Sequence, residues 1–156
     1  MPHRICLILL CLAFAGSSWA EQPSLCTDEE YSAFWCETKT KRFELCASKN
    51  LSASEGYMQY RANAGDKRVF QFPETPKHPR GIFRLSVIGA RPVSKLKFQN
   101  AKATYEILSS AWGGGLRVTV EGKERMDIPC AELYDPFALT DFPINLFEII
   151  GVEDDE

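Results

Sequence analysis

The chain has 156 residues, of which 45% are hydrophobic and 25% are charged. This balance is typical of one folded globular domain and argues against wholesale disorder. The formal net charge at pH 7 is −3, so the chain lacks the concentrated positive charge with which nucleic-acid-binding proteins contact phosphates. After residue 20, no apolar run approaches the roughly 20 residues that a membrane-spanning helix needs.

Residues 1–20 have the layout of a secretory signal peptide. Arg4 provides a basic start, Ile5 to Ala15 form an apolar stretch, and Ser18-Trp19-Ala20 is a cleavage site of the small-x-small type. The alternatives are a membrane anchor or a core helix, which the short apolar run disfavours. The sequence therefore predicts an exported protein, either periplasmic or secreted.

Cleavage is expected after Ala20, because the small residues Ser18 and Ala20 follow directly on the apolar stretch. The mature chain then loses only Arg4 among the formally charged residues, which leaves 17 basic against 21 acidic residues and a net charge of −4. Intact-mass measurement of the exported product checks the prediction. A mature chain that begins far from Glu21 would contradict it.

The mature chain keeps four cysteines, Cys26, Cys36, Cys46 and Cys130. An even number in an oxidising compartment predicts two structural disulfides. The spacings match no zinc motif, no C-x-x-C pair is present, and His78 is the only imidazole of the mature chain. We therefore predict no metal and no cofactor.

Cys36 and Cys46 flank a predicted hairpin centred on Lys41. A symmetric turn there would place the two side chains directly opposite each other, within reach of a bridge. This predicts the pairs Cys36–Cys46 and Cys26–Cys130. A one-residue shift in register favours Cys26–Cys36 and Cys46–Cys130 instead.

Alternation of apolar and polar residues dominates residues 33–128 and predicts eight or nine short strands, spaced by about ten residues. Glycine-rich and proline-containing stretches at Glu74–Gly81 and Gly113–Gly115 are interpreted as loops. The predicted strands cover Ala33–Thr38, Arg42–Ala47, Tyr57–Arg61, Lys67–Phe72, Phe83–Val87, Lys95–Phe98, Tyr105–Ile107, Leu116–Val120 and Met126–Ile128.

These strands predict an all-β domain over residues 21–130, in which an antiparallel meander is closed as a barrel or folded as a sandwich and is stapled by disulfides. The connections are too short for the crossover helices of a parallel sheet. Residues 131–156 are interpreted as a segment docked on the domain, with a helical turn at Asn145–Ile150 and a frayed acidic end. An α+β variant stays open, in which this tail or Thr27–Ser32 forms a short helix.

Five short motifs together resemble an uncharacterised family of small exported bacterial β-rich proteins, with the pattern C…FxC…LCASK…GYxQYR…FP. They are Cys26, Phe34–Cys36, Leu45–Lys49, Gly56–Arg61 and Phe70–Pro73. The resemblance covers about residues 26 to 130. It implies a periplasmic or secreted location, and it implies no activity and no catalytic residue.

The chain departs from this pattern at two predicted turns. Ala62-Asn63 stand where the family has Phe-Gly, and Asn100-Ala101-Lys102 stand where it has Asn-Gly-Gly. Both departures bear on loop geometry more than on the fold.

The sequence offers little inventory for catalysis. His78 lies in a proline-rich loop, and the sequence has no Gly-x-Ser-x-Gly motif whose serine this histidine could activate. The triple glycine is not followed by Lys-Ser or Lys-Thr, so it predicts no phosphate-binding loop. The carboxylates that a hydrolase would need are present without a signature around them: Asp28, Glu29, Glu30, Glu37, Glu106 and Asp127.

Tyr57, Tyr60 and Arg61 are the candidate binding surface, because Tyr and Arg are favoured at interface hot spots. On a strand Tyr57 and Arg61 share one face, while Tyr60 faces the other. We therefore predict a non-enzymatic binding or inhibitory protein of the bacterial envelope. Its expected partner is an envelope protein or a cell-wall hydrolase such as lysozyme, whose basic surface would meet this acidic chain. The alternative is a carboxylate-based hydrolase that acts on envelope glycans.

Overall fold

The computed structural model describes residues 23–64, 67–88, 93–110, 113–130, 132–134 and 145–151. Within these ranges the chain forms ten β-strands and one short helix. The elements are β1 (Glu30–Glu37), β2 (Lys41–Ser48), β3 (Met58–Ala64), β4 (Lys67–Lys77), β5 (Phe83–Ile88), β6 (Val93–Asn100), β7 (Ala103–Ser110), β8 (Gly113–Val120), β9 (Lys123–Pro129), β10 (Glu132–Tyr134) and α1 (Leu146–Ile150).

The strands form two five-stranded antiparallel sheets, with the orders β10-β1-β2-β3-β4 and β5-β6-β7-β8-β9. The prediction of an all-β antiparallel fold is confirmed. In the described ranges there are ten strands rather than eight or nine, because β10 pairs with β1. The two sheets are not closed into a barrel.

The core lies between the inner faces of the two sheets, because apolar side chains alternate along the strands and point to one side. On the second sheet, Leu85, Leu96 and Phe98 are buried in this layer. Aromatic rings join the two sheets: the Phe98 ring centroid lies 5.1 Å from that of Tyr60 and 4.8 Å from that of Phe72. Such ring pairs add to the area that each side chain buries.

The segment predicted as a loop from Glu74 to Gly81 is strand for its first four residues, because β4 continues to Lys77. Pro73 and Pro76 did not stop the strand. β4 is the edge strand of the first sheet, and a proline is tolerated at an edge because its missing N–H need not enter a ladder.

The triple glycine, also predicted to be a loop, opens strand β8. Gly115 stands opposite Pro129 of β9. A Cβ atom built on Gly115 would lie 2.6 Å from the carbonyl oxygen of Ile128, so only glycine lets the two strands approach this closely.

The two disulfides are Cys26–Cys46 and Cys36–Cys130. The prediction of two structural disulfides is confirmed, but both pairings proposed from the sequence are wrong. The hairpin turns between Lys39 and Thr40 rather than at Lys41, because Glu37 pairs with Arg42.

This register, with a bulge between Ser32 and Phe34, places Cys36 opposite Phe43 and Cys46 opposite Ser32. Cys36 therefore points into the core, while Cys46 points to the outer face of the first sheet. The two sulfurs lie on opposite sides of the sheet. Cys46 therefore bonds to Cys26 on the outer side of the sheet, and Cys36 bonds to Cys130 on the core side.

The hairpin between β6 and β7 turns through Ala101, whose φ is 52°. Replacing Ala101 with glycine is expected to raise the free energy of unfolding by up to about 1 kcal/mol. The left-handed conformation destabilises alanine by about 1–2 kcal/mol, and glycine removes this cost. The greater conformational entropy of glycine in the unfolded chain lowers stability by only about 0.4–1 kcal/mol, so the net effect is stabilising. Urea denaturation checks this. The control Ala103→Gly, within β7, should lower stability, and a loss of stability in both variants would contradict the expectation.

Helix α1 lies within the segment where a helical turn was predicted, and its Leu146 and Ile149 side chains are buried. Arg80 Nε donates a hydrogen bond to the carbonyl oxygen of Ile149 at 3.2 Å, which holds the helix near β5. Residues 28 and 29 form a turn before β1 rather than a helix. The predicted signal peptide and acidic end lie outside the described residues. In the part of the chain that is described, no helix is both long and apolar enough to cross a bilayer.

Candidate functional site

The outer face of the first sheet is polar but buried. Residues 23–29 run across it, and the Cys26–Cys46 disulfide fastens them there. We call this surface the polar face; it comprises Glu30, Arg42, Glu44, Ser48, Gln59, Arg61 and Asn63, all of them buried. Alternation explains why these residues share one side, because the neighbouring positions on each strand fill the core.

Arg61 and Glu30 form the centre of the polar face. Arg61 donates from Nη1 to Glu30 Oε2 and from Nη2 to Glu30 Oε1, both at 2.6 Å. Its remaining donors reach Gln59 Oε1, at 3.0 and 2.8 Å, and the carbonyl oxygen of Leu25, at 2.8 Å. The guanidinium is therefore fully hydrogen-bonded, which is the condition under which a buried charge is tolerated.

Glu44 forms a second buried pair beside the first. Arg42 Nε donates to Glu44 Oε2 at 3.0 Å, and the Arg42 guanidinium lies 4.9 Å from the centre of the Trp35 ring. The covering segment completes the site: the Leu25 amide donates to Glu44 Oε2 at 2.7 Å, and Ser24 Oγ donates to Oε1 at 2.9 Å. The N-terminal segment thus provides hydrogen bonds as well as cover.

The pKa of Glu30 is about 2, against an ordinary value of 4.5. Burial alone would raise this pKa. The hydrogen bonds from Arg61, the Thr27 amide and the Tyr57 hydroxyl, together with the charge of Arg61, outweigh burial and lower it. Glu30 is therefore ionised throughout the physiological pH range.

Acidification is expected to destabilise the protein between about pH 4.5 and pH 2. The folded state has the lower pKa at Glu30, so the unfolded state takes up the proton first as the pH falls. The lowered pKa of Glu30 adds about 3 kcal/mol to the free energy of unfolding above pH 4.5, and this contribution is lost as the pH falls toward 2. Urea denaturation across this range checks the prediction. Glu30→Gln should lose less stability with acid than the natural chain, and an identical pH dependence of the two would contradict the assignment to Glu30.

The three residues predicted as a binding surface do not form one. Tyr57 and Arg61 share the outer face and Tyr60 faces the other way, as their alternation predicts. However, Tyr60 is 1% exposed within the aromatic core, and Arg61 is 5% exposed beneath residues 23–29. Tyr57 is half-buried and donates its hydroxyl to Glu30 Oε1 at 2.9 Å. Tyr60 therefore packs in the core, while Tyr57 and Arg61 hydrogen-bond to the buried Glu30.

One cluster has the residue types of a metal site, since ligand atoms of Cys26, Glu30 and Cys46 lie within 4.8 Å of one another. Both sulfurs belong to the same disulfide, and metal binding by cysteine requires a thiolate. The oxidised protein therefore does not offer these sulfurs to a metal.

The other catalytic candidates are spread over the fold. His78 Nε2 lies 3.0 Å from the carbonyl oxygen of Ser52, in a contact between two loops. Glu106 and Asp127 form ion pairs on the outer face of the second sheet, with Lys95 at 3.9 Å and with Arg117 at 3.6 Å. Glu37 lies 3.4 Å from Arg42.

A cleft of about 440 Å³ opens where the first turn after β4 meets β5 and β6. Its polar side chains are Arg84, Lys97 and Gln99, and no carboxylate lines it. We call it the basic cleft; it is lined by Phe72, Gly81, Ile82, Arg84, Lys97, Phe98 and Gln99. Sequence reasoning missed this site. Alternation places Arg84 and Lys97 on the outer face of their strands, but only the register places them side by side.

A second cleft, of about 340 Å³, lies over the glycines of β8. It is lined by one carboxylate, Asp127, which lies 3.6 Å from Arg117. Neither of these two clefts is lined by a pair of carboxyl groups. The basic cleft is the better candidate site of the two, because it is larger and is lined by more polar side chains.

Comparison with protein-family models, with curated proteins and with solved structures gives no match. The resemblance to the exported bacterial family therefore remains a prediction from the motifs. Function has to be argued from the site itself.

Proposed function

We propose that the protein is a non-enzymatic binding domain of the bacterial envelope, periplasmic or secreted, built as a two-layer β-sandwich. The observation that carries the proposal is that the buried carboxylates Glu30 and Glu44 are bound by arginines, while neither of the two clefts is lined by a pair of carboxyl groups. The two disulfides fit an oxidising compartment.

The chemistry of the buried carboxylates also favours binding over hydrolysis. A general acid must hold a proton near neutral pH, whereas the pKa of Glu30 is about 2. Both oxygens of Glu30 accept hydrogen bonds from Arg61. Glu44 is fully buried and bound by Arg42 and the Leu25 amide. The oxygens of Glu30 and Glu44 are therefore occupied by hydrogen bonds within the fold.

The partner we propose is a cell-wall hydrolase with a basic surface, which this domain would bind and inhibit. The predicted mature chain carries a net charge of −4, so a basic protein is attracted to it at long range. The rate of encounter should then fall as the salt concentration rises.

The test mixes the mature, oxidised chain with lysozyme and follows the lysis of bacterial cell walls. Lysis is expected to slow as the molar ratio approaches one, and the chain alone is expected to release no sugar. Undiminished lysis with the chain in molar excess would overturn the inhibitory role. Release of reducing sugars by the chain alone would replace the binding proposal with the carboxylate hydrolase.

A further inference from the structure

We propose that the Cys26–Cys46 disulfide is a redox-controlled latch: a dithiol reductant opens it, and residues 23–27 then leave the polar face while both sheets stay folded. We call residues 23–27 the strap. The inference is independent of the proposed partner, because it concerns only contacts within this chain. Three observations support it: the position of the disulfide, the polar layer under the strap, and the few contacts that hold the strap without the disulfide.

The two disulfides differ in their accessibility. Cys26–Cys46 lies on the outer face of the first sheet, and Cys26 is half-buried in a segment outside the strands. In Cys36–Cys130, Cys36 is 0% exposed on the core side, and Cys130 packs against the hydrophobic core. Disulfide exchange requires a thiolate to reach a sulfur atom, so access favours the outer bond. The inner bond continues to join β1 of the first sheet to the residue that follows β9 of the second.

The opening reaction is a two-step thiol–disulfide exchange. One thiolate of the dithiol attacks the Cys26 sulfur, because Cys46 is 0% exposed, and the Cys46 sulfur leaves with the electron pair of the broken S–S bond. The second thiol of the reductant then displaces Cys26 from the mixed disulfide. The reductant ends as a disulfide, and its two protons end on the Cys26 and Cys46 thiols.

The layer under the strap consists of polar and charged side chains that remain paired when the strap leaves. Arg42 Nε donates to Glu44 Oε2 at 3.0 Å, and Arg61 donates to both oxygens of Glu30. None of these bonds involves the strap. Water would replace the hydrogen bonds that the strap supplies, so opening carries little of the penalty that an exposed apolar layer would impose.

Ser32 favours the open state. It lies directly opposite Cys46, and its Oγ is buried without a hydrogen-bond partner among the described residues. A buried hydroxyl without a partner is destabilising. Water that enters beside Cys46 as the strap leaves would provide the missing hydrogen bond.

Few contacts hold the strap apart from the disulfide. Three of its five residues are exposed and the other two are half-buried. Ordering the backbone of one residue costs about as much free energy as one hydrogen bond returns, so the disulfide decides the balance. Within the described residues, the hydrogen bonds between strap and polar face are those of Ser24 Oγ and the Leu25 amide to Glu44, the Leu25 carbonyl to Arg61, and the Thr27 amide to Glu30.

Lys49, directly after β2, fixes the point from which the strap would swing. Its Nζ donates to the carbonyl oxygen of Asp28, and its amide donates to the carbonyl oxygen of Glu29 at 3.4 Å. Residues 28 and 29 therefore stay beside the end of β2 when the latch opens. The movement is confined to the strap and leaves the pairing of β1 intact.

The experiment treats the mature, oxidised chain with dithiothreitol at neutral pH without denaturant, traps the freed thiols with iodoacetamide at intervals and maps them by mass spectrometry. Cys26 and Cys46 are expected to be labelled at least about tenfold faster than Cys36 and Cys130, because only the inner bond requires the sheets to open first. Equal labelling of the two pairs, or faster labelling of Cys36 and Cys130, would overturn the proposal.

Amide hydrogen exchange follows the strap itself. In the double variant Cys26→Ala/Cys46→Ala, the Leu25 and Thr27 amides should exchange at least about tenfold faster than in the natural oxidised chain, because the strap opens locally. The amides of β2 and β3 should keep their protection. Protected Leu25 and Thr27 amides in this variant, or loss of protection in β2 and β3 together with the strap, would contradict the latch.

The matched control is Cys36→Ala/Cys130→Ala, which removes the other disulfide and leaves the latch closed. Its Leu25 and Thr27 amides should exchange as slowly, relative to those of β2 and β3, as in the natural chain. Exchange at these two amides that rises equally in both double variants would show that the strap responds to general loss of stability, and the proposal would fail. Thiol labelling of the natural chain tests the latch without requiring either variant to fold.

Discussion

Replacing Arg61 with methionine is expected to lower the free energy of unfolding by about 3–5 kcal/mol, because Glu30 would be left buried without its partner. Both Arg61 contacts with Glu30 are 2.6 Å long, and the side chains are 6% and 1% exposed, so water cannot replace the guanidinium. Urea denaturation at neutral pH measures the loss. The double variant Glu30→Gln/Arg61→Met should recover part of it, because no uncompensated charge then remains buried.

The control for this prediction is Arg117→Met, on the outer face of the second sheet. Arg117 also pairs with two carboxylates, Glu124 at 3.3 Å and Asp127 at 3.6 Å, but its side chain is 39% exposed. Water screens this pair, so the expected loss is below about 1 kcal/mol. Similar losses for Arg61→Met and Arg117→Met would mean that the polar face is hydrated and the interpretation of a buried ion pair is wrong.

Removing the Cys36–Cys130 disulfide is expected to lower stability by more than removing Cys26–Cys46. The first closes a loop with a sequence separation of 94, the second one of 20. The chain-entropy model gives about 4.7 kcal/mol for a loop of roughly 100 residues and about 3 kcal/mol for one of roughly 15 residues. Urea denaturation of the double variants Cys36→Ala/Cys130→Ala and Cys26→Ala/Cys46→Ala compares the two losses.

Cleavage of the oxidised chain without reduction, followed by mass spectrometry, should first yield the linked peptides Cys26–Cys46 and Cys36–Cys130. A larger loss on removing Cys26–Cys46 would contradict the expected order of the two disulfides. It would show that the contacts of residues 23–29 outweigh chain entropy. That outcome has a physical basis, since these residues donate hydrogen bonds to Glu44 and accept one from Arg61.

The sequence alone was sufficient for the class of the fold. Alternation in segments such as Phe83–Val87 and Lys95–Phe98 predicts strands with one apolar face, and short connections predict antiparallel pairing. The even number of cysteines in the predicted mature chain predicted two disulfides. Local patterns also placed Tyr57 and Arg61 on the face opposite Tyr60. Each of these properties depends on a residue's immediate neighbours along the chain.

The tertiary structure decided the register of the strands, the covering of the polar face and the closeness of residues that are distant in the sequence. A bulge between Ser32 and Phe34 and a turn shifted from Lys41 changed which residues face Cys36 and Cys46, and a shift of one residue reverses the side of every side chain. The composition of the polar face is that of a solvent-exposed surface, yet residues 23–29 cross it and bind Glu44 and Arg61. Arg84 and Lys97 are 13 positions apart in the sequence and directly opposite in the sheet. Pairings between distant strands, and the segments that cover them, depend on packing energies summed over the whole domain, and no local pattern contains that information.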